Sequence, residues 1–284
     1  MNIFIAHEAW FLLTAVGAYV GAMLLFWMRL FLRGELGYSG TPFSKFSHWA
    51  SSHGGLTLLW FGAAMHLGAL IGQGSDLFGV QVGVAGLFGW ILVVAYLVFG
   101  QRFGPLSLGA FVTPVAIAGA LYSLTDPPLH HFTSQLEGPW LDLHVFIIVL
   151  GYVALAFAFA ASLIYLLQDA LLKRKKLSGL WQKLPSLQVT DDVIYRATTF
   201  GLAMLSLGIL TGVMWQRWQE PSYQAMHDPK VIFSLLTWCT FAVYLSARRW
   251  LGWRGRRTNL VVVYGFMMLV ILFSMPHVLD GVTR

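Results

Sequence analysis

Histidine is the residue type in this chain whose chemistry and placement together point to a site. There are nine. His7, His66, His130, His131, His144, His227 and His277 lie in or beside one alternate set of the breaks between apolar runs, the set poor in lysine and arginine. Beside a membrane a charged imidazole is costly, but a neutral one is a good ligand for a transition metal or a haem iron. His144 opens an apolar run in Trp140-Leu141-Asp142-Leu143-His144-Val145, and His277 closes another in Phe273-Ser274-Met275-Pro276-His277. Two imidazoles at equal depth on separate helices can clamp one iron from opposite faces, as the axial ligands of a non-covalent b-type haem do. His66 and His227 are secondary candidates. A haem also needs aromatic or apolar walls, which Trp140, Trp215, Trp218 and Tyr223 could provide, and a cationic partner for its propionates, for which Arg217 and Lys230 stand close to Asp228. Taken singly, each of these histidines is more often an interfacial polar residue with a hydrogen-bond partner. Each tryptophan alone reads equally well as part of the aromatic belt at a membrane surface.

The elements that must position these residues are set by composition. Of 284 residues 57% are hydrophobic and 11% charged, against about 25% charged in an ordinary soluble domain. Such a chain cannot cover itself with a water-soluble surface. Runs of about 17–25 apolar residues suit bilayer-spanning helices, and eight are expected, over 8–31, 53–71, 82–99, 107–124, 143–168, 197–214, 231–247 and 259–276. Breakers separate them, among them Arg33-Gly34-Glu35, Gly72-Gln73-Gly74, Gly104-Pro105, Asp126-Pro127-Pro128, Pro185 and Pro221. Of the 18 lysines and arginines only Arg217, Lys230 and Arg284 fall outside the other alternate set of flanks. Since positive charge is retained in the cytoplasm, both termini and the candidate histidines are expected on the outer face. The fold class is therefore all-α: a polytopic integral membrane protein of eight transmembrane helices, one membrane domain over 1–284, in a bacterial cytoplasmic (inner) membrane.

Other features read more plainly. The single cysteine, Cys239, permits no intramolecular disulfide or CxxCH haem attachment and is expected as a small packing residue. Lys173-Arg174-Lys175-Lys176 reads first as a topogenic cluster, with binding of anionic lipid or a cytoplasmic partner as the alternative. Pro114 should kink the fourth span, with a neighbouring helix taking up the freed carbonyl. Spacings such as Gly17 to Gly21 allow close helix contact. The basic residues lie between membrane runs, so a nucleic-acid partner is not expected. No internal repeat suggests an inverted-repeat transporter, and no carboxylate near mid-membrane marks an ion path. Asp126, Glu137, Asp142 and Asp228 are outward acids without an accompanying nucleophile and base, so the chain is not expected to be an enzyme.

Several fragments in order carry a family resemblance. Leu143-His144-Val145, Leu150-Gly151-Tyr152, Tyr165-Leu166-Leu167-Gln168, Leu184-Pro185-Ser186-Leu187, Gly208-Ile209-Leu210-Thr211-Gly212, Asp228-Pro229-Lys230, Leu236-Thr237-Trp238 and Gly252-Trp253-Arg254-Gly255-Arg256-Arg257 resemble the CcsA/ResC/CcmC-type cytochrome c assembly family. The resemblance covers roughly 140–276, and residues 1–124 look like its variable four-helix half. It implies a haem-handling membrane protein of cytochrome c biogenesis, with outward histidines as axial ligands on either side of a tryptophan-rich "WWD" loop ending in Asp-Pro-Lys. By position His144 matches the first ligand, and His277 the second without the usual His-Ser-Tyr context. Pro221, Ala225 and His227 stand where tryptophans are usual, and Ser246 where larger members carry an intramembrane histidine. These departures bring the chain close to the short, eight-span HemX-like branch. The alternative implied is a membrane regulator or partner of haem-synthesis enzymes with no stable haem of its own. Partners on the first reading are the bilayer, haem and other cytochrome c assembly proteins.

Overall fold

In a bilayer every backbone N–H and C=O must be paired within the protein, which a helix achieves with its own hydrogen bonds. The computed structural model describes residues 2–31, 53–73, 81–100, 108–124, 139–175, 181, 184–219 and 229–274, and these are helical almost throughout. The helices are α1 (Asn2–Phe31), α2 (Gly55–Gln73), α3 (Gln81–Ala95, continued by a π-helical turn Tyr96–Gly100), α4 (Gly109–Tyr122), α5 (Pro139–Lys173), α6 (Leu187–Gln219), α7 (Pro229–Trp250) and α8 (Arg256–Ser274). Seven are long and apolar enough to cross a membrane, and α4 is a shorter apolar helix in the place of the fourth span. The chain is a multi-pass helical membrane protein. Large apolar side chains such as Ile71 and Val243, 71% and 62% exposed, form the surface that lipid covers.

Neighbour contacts close into two rings. In the first, α1 touches α2, α2 touches α3, α3 touches α4, and α4 returns to α1. In the second, α5, α6, α7 and α8 do the same, and α5 also packs against α3 and α4. Both rings stand the same way up, because Tyr122 near the end of α4 meets Phe273 near the end of α8, ring centroids 5.8 Å apart. One end of the molecule therefore gathers Lys173, Arg174, Lys175, Arg196, Arg248, Arg249, Arg254, Arg256 and Arg257 with Arg29. At the other end the described residues place Arg217 and the backbone of Lys230.

Two helices extend well past their apolar runs. The fifth and sixth spans, expected over 143–168 and 197–214, are helical over Pro139–Lys173 and Leu187–Gln219. Hydropathy marks only the part in lipid, whereas polar pairs one turn apart continue the helix beyond it: Asp169 with Lys173 and Asp192 with Arg196, each 2.8 Å apart. The Ser186 hydroxyl accepts from the Val189 N–H at 3.3 Å and starts α6. The buried Gln168 donates to the Pro185 carbonyl, tying the end of α5 to the turn before α6. Cys239, expected in packing, is exposed on α7; helix rotation, which composition alone does not set, turns it outward.

Pro114 lies inside α4 as expected. It has no N–H, so the carbonyl four residues back, that of Ala110, loses its donor within the helix. Trp27 of α1 supplies one: its indole Nε1 donates to the Ala110 oxygen at 2.8 Å. Trp27→Phe should therefore lower stability by about 1 kcal/mol, the scale of one interhelical hydrogen bond in a membrane. The loss should shrink in a Pro114→Ala background, where residue 114 again offers an N–H. Unfolding in mixed detergent micelles measures both, and equal losses in the two backgrounds would remove this carbonyl as the cause.

Candidate functional site

The seam between α5 and α6 places the first candidate ligand. Gly201, Gly208 and Gly212 on α6 sit against Leu155, Ile148 and His144 on α5. The spacings are seven and four residues on both helices, in opposite directions, as an antiparallel pair requires. A Cβ at Gly201 would lie 2.7 Å from Leu155 Cγ, at Gly208 2.4 Å from Ile148 Cγ1, and at Gly212 2.6 Å from His144 Cε1. Only glycine admits these partners at this helix separation. His144 is thus the last knob of a packed row, half-buried, with α6 backbone against its ring.

Thr211 then orients the ring. Its Oγ1 is 2.9 Å from the Leu207 carbonyl oxygen, 3.1 Å from that of Gly208, and 3.1 Å from His144 Nδ1. A hydroxyl has one proton and two acceptor lone pairs. Every contact is a hydrogen bond when the hydroxyl donates to the helix carbonyls and Nδ1–H donates to Oγ1. In a neutral imidazole that arrangement puts the proton on Nδ1 and leaves Nε2 as the basic nitrogen, the form in which a histidine ligates a metal.

Aromatic and cationic groups adjoin the same end. Trp140, one turn before His144, meets Trp218 of α6 edge to face, with centroids 5.9 Å apart and planes at 85°. Both indoles are about half exposed or more. Trp215 is half-buried, and Arg217 is exposed about 9 Å along the helix axis beyond Thr211. In kind this donor set fits an iron porphyrin: an imidazole held through Nδ1, aromatic surface beside it, and a guanidinium for a propionate. His277, His227, Tyr223 and Asp228 lie outside the described residues, and of Lys230 the backbone position alone is described. Phe273 and Ser274, the last residues of α8 before the His277 segment, are at the same end of the bundle as His144.

His66 is placed differently. It is fully buried among α1 to α4, its Nδ1 3.3 Å from the hydroxyl of the equally buried Tyr19, and its Nε2 has no hydrogen-bond partner among the described residues. Gly86 brings α3 close: a Cβ there would lie 2.6 Å from Ser123 Oγ and 3.5 Å from His66 Nε2. The structure therefore does not bring His66 to the His144 site, and a planar macrocycle at its Nε2 would need α3 to move away. In the sequence Thr211 and Gly212 stand out only as part of the Gly208-Ile209-Leu210-Thr211-Gly212 fragment, with no role of their own. The signal that could have found them is the matched spacing of the α6 glycines and of His144, Ile148 and Leu155. Among the described residues no cluster of three or more histidine, cysteine or acidic side chains could hold a separate metal ion.

Comparison with known proteins agrees with this architecture. The profile of the cytochrome c assembly protein family matches residues 50–282. The cytochrome c biogenesis protein CcsA of Chlamydomonas reinhardtii is 30% identical over 189 residues, 63% of this chain and 52% of that protein. CcsA of Synechococcus sp. (strain CC9902) is 30% identical over 213 residues, 65% of this chain and 69% of that one, and CcsA of Chlorella vulgaris is 26% identical over 219 residues, 65% and 69%. The chain spans about half the length of the Chlamydomonas protein. No solved structure matches. The chain is a multi-pass helical membrane protein, and it belongs to the cytochrome c assembly protein family.

The tautomer is directly measurable. In full-length protein labelled with 15N-histidine, the His144 Nε2 resonance should be that of an unprotonated ring nitrogen. Thr211→Ser should preserve this, and Thr211→Val, which keeps the shape but removes the oxygen, should mix the two tautomers. A protonated Nε2 in the unaltered protein would overturn the assignment.

Proposed function

We propose that this protein handles haem in cytochrome c biogenesis, holding it non-covalently at the weakly charged end of the bundle. The observation that carries the reading is His144, wedged over Gly212 with Nδ1 on Thr211 Oγ1. His144 would be one axial ligand and His277 the other, with His66 and His227 as secondary candidates. Trp140, Trp215, Trp218 and Tyr223 would form the walls, and Arg217 or Lys230, near Asp228, would neutralise propionates. The haem, as b-type cargo, supplies an iron with two axial positions. The chain's own part is to present a neutral nitrogen, exclude water with indole surface and offset negative charge.

By the excess of lysine and arginine at the opposite end, the haem end faces outward, as do both termini, in a bacterial cytoplasmic (inner) membrane. The task is delivery of haem within an assembly that includes other cytochrome c assembly proteins, assisting a synthase or lyase complex. Pro221, Ala225, His227 and Ser246 favour a second reading. In it the chain is a HemX-like regulator or partner of a haem-synthesis enzyme, acting through its basic end without stable haem of its own.

Haem reconstitution of the purified full-length protein separates the two. A Soret band should appear that His144→Ala weakens strongly. Gly212→Ala, whose new methyl displaces the ring, should shift or weaken it too, while Gly17→Ala, with open space at its Cβ position, should leave it unchanged. Absence of any His144-dependent band would reject the first reading.

A further inference from the structure

At the basic end, α6 and α7 leave a groove of about 230 Å³ lined by Tyr195, Thr199, Leu245, Ser246, Arg249 and Trp250. No carboxylate lines it. The two nearest on α6 are already engaged. Asp191 takes Arg248 through both oxygens, each 2.7 Å from a guanidinium nitrogen, and Asp192 pairs with Arg196. Arg248 is further held by its guanidinium carbon lying 4.8 Å from the centre of the Tyr195 ring. The two adjacent arginines of α7 thus have different situations. Arg248 is neutralised within the protein, and Arg249, exposed at the groove, has no hydrogen-bond or ion-pair partner among the described residues.

The other polar groups of the lining add donors. The Thr199 hydroxyl donates to the Tyr195 carbonyl at 2.8 Å, as a serine or threonine in a helix commonly does. Ser246, in the same kind of helical position, makes no such bond among the described residues, and neither does the Trp250 indole N–H. The lining therefore offers a guanidinium, a hydroxyl and an indole N–H with no opposing negative charge. That is the chemistry of an anion site, and a guanidinium suits phosphate oxygens in particular.

Its surroundings specify the form of the phosphate. Trp250, 79% exposed, ends α7 where that span leaves the membrane. Phe200 beside Thr199 and Val243 one turn before Ser246 are exposed apolar side chains on the lipid-facing sides of the same two helices. A free phosphate has no use for exposed apolar side chains on the flanking helices, whereas an acyl chain does. The many arginines and lysines at this end also attract acidic lipids, by roughly 1 kcal/mol for each charge near the surface. We propose that the groove between α6 and α7 binds the phosphate headgroup of an anionic phospholipid, with Arg249 and Ser246 as donors and Trp250 at its rim. The site is distinct from the histidine end and does not depend on haem.

Native mass spectrometry of the full-length protein from neutral-detergent micelles, supplied with phosphatidylglycerol or phosphatidylcholine, tests it. Phosphatidylglycerol should be retained preferentially. Arg249→Gln should weaken that retention about tenfold, as expected for loss of a charge-assisted hydrogen bond, and Ser246→Ala should weaken it less. Arg257→Gln removes the same charge from an exposed position at the same end outside the groove and should change little. Equal loss in Arg249→Gln and Arg257→Gln would reduce the effect to general surface charge. Equal retention of phosphatidylcholine, or displacement of phosphatidylglycerol by inorganic phosphate, would likewise overturn the proposal. Arg249 is exposed, so its substitution should leave folding intact, and an unchanged helical circular-dichroism spectrum verifies this.

Discussion

The close approach of α5 and α6 is the constraint on which the candidate site depends. Lipid tails are as apolar as leucine, so helices in a bilayer gain little from hiding apolar surface against one another. They associate where their surfaces fit and where polar groups pair. The glycines of α6 supply the fit by admitting Leu155, Ile148 and His144 in turn. Because the row is continuous, the depth and facing of His144 are inherited from packing deeper in the membrane. Gly151 on α5 completes the interlock, with Gly201 and Leu205 of α6 against it. A side chain set this way has little rotational freedom, which reduces the ordering cost of any contact it makes.

Polar bonds between helices recur at the places where a backbone or side chain would otherwise be unsatisfied. Trp27 caps the carbonyl that Pro114 frees. The Trp238 indole donates to Ser206 Oγ at 2.7 Å, and that hydroxyl in turn donates to the Leu202 carbonyl at 2.8 Å. Ser162 and Asn259 meet between α5 and α8, both buried, while Asn259 Nδ2 also donates to the Gly255 carbonyl at 3.0 Å. In a low-dielectric medium each bond avoids a desolvated orphan, so these pairs restrict helix rotation as well as helix spacing. The Thr211 and His144 pair is the same device at the end of the α5 and α6 seam.

Much of the fold was legible because spanning a bilayer is a one-dimensional constraint on length and polarity. The eight apolar runs, the grouping of positive residues at one end and the role of Pro114 all follow from local sequence. Helix ends in water were less legible, since Asp169, Lys173, Asp192 and Arg196 read as loop residues until their one-turn spacing is noticed. Facing was least legible: Cys239 sits in an apolar run whether it points to a neighbour or to lipid. The role of Thr211 escaped for a related reason. A threonine in an apolar helix ordinarily bonds its own backbone, and its second contact exists only once the register with α5 is known. His144 was visible as a residue type beside a membrane edge, but its tautomer depends on that same register.

His66 and His144 are the same residue type in different surroundings. Both are near the same end of the bundle and both have Nδ1 within reach of a hydroxyl. At His66 that hydroxyl belongs to Tyr19, which has no helix carbonyl bond to fix its proton among the described contacts, and α3 lies against Nε2. At His144 the hydroxyl proton is directed to the backbone of α6, so the direction of the bond to Nδ1 follows from it. The first histidine is enclosed by four packed helices; the second is at the end of a seam with exposed indoles beside it. Backbone proximity does not separate them, since a Cβ at Gly212 would lie 3.4 Å from His144 Nε2 and one at Gly86 3.5 Å from His66 Nε2; burial does, for His66 is fully buried and His144 half-buried. The residue that lets His144 sit at this seam is Gly212, because the side chain it lacks is what leaves the imidazole its place.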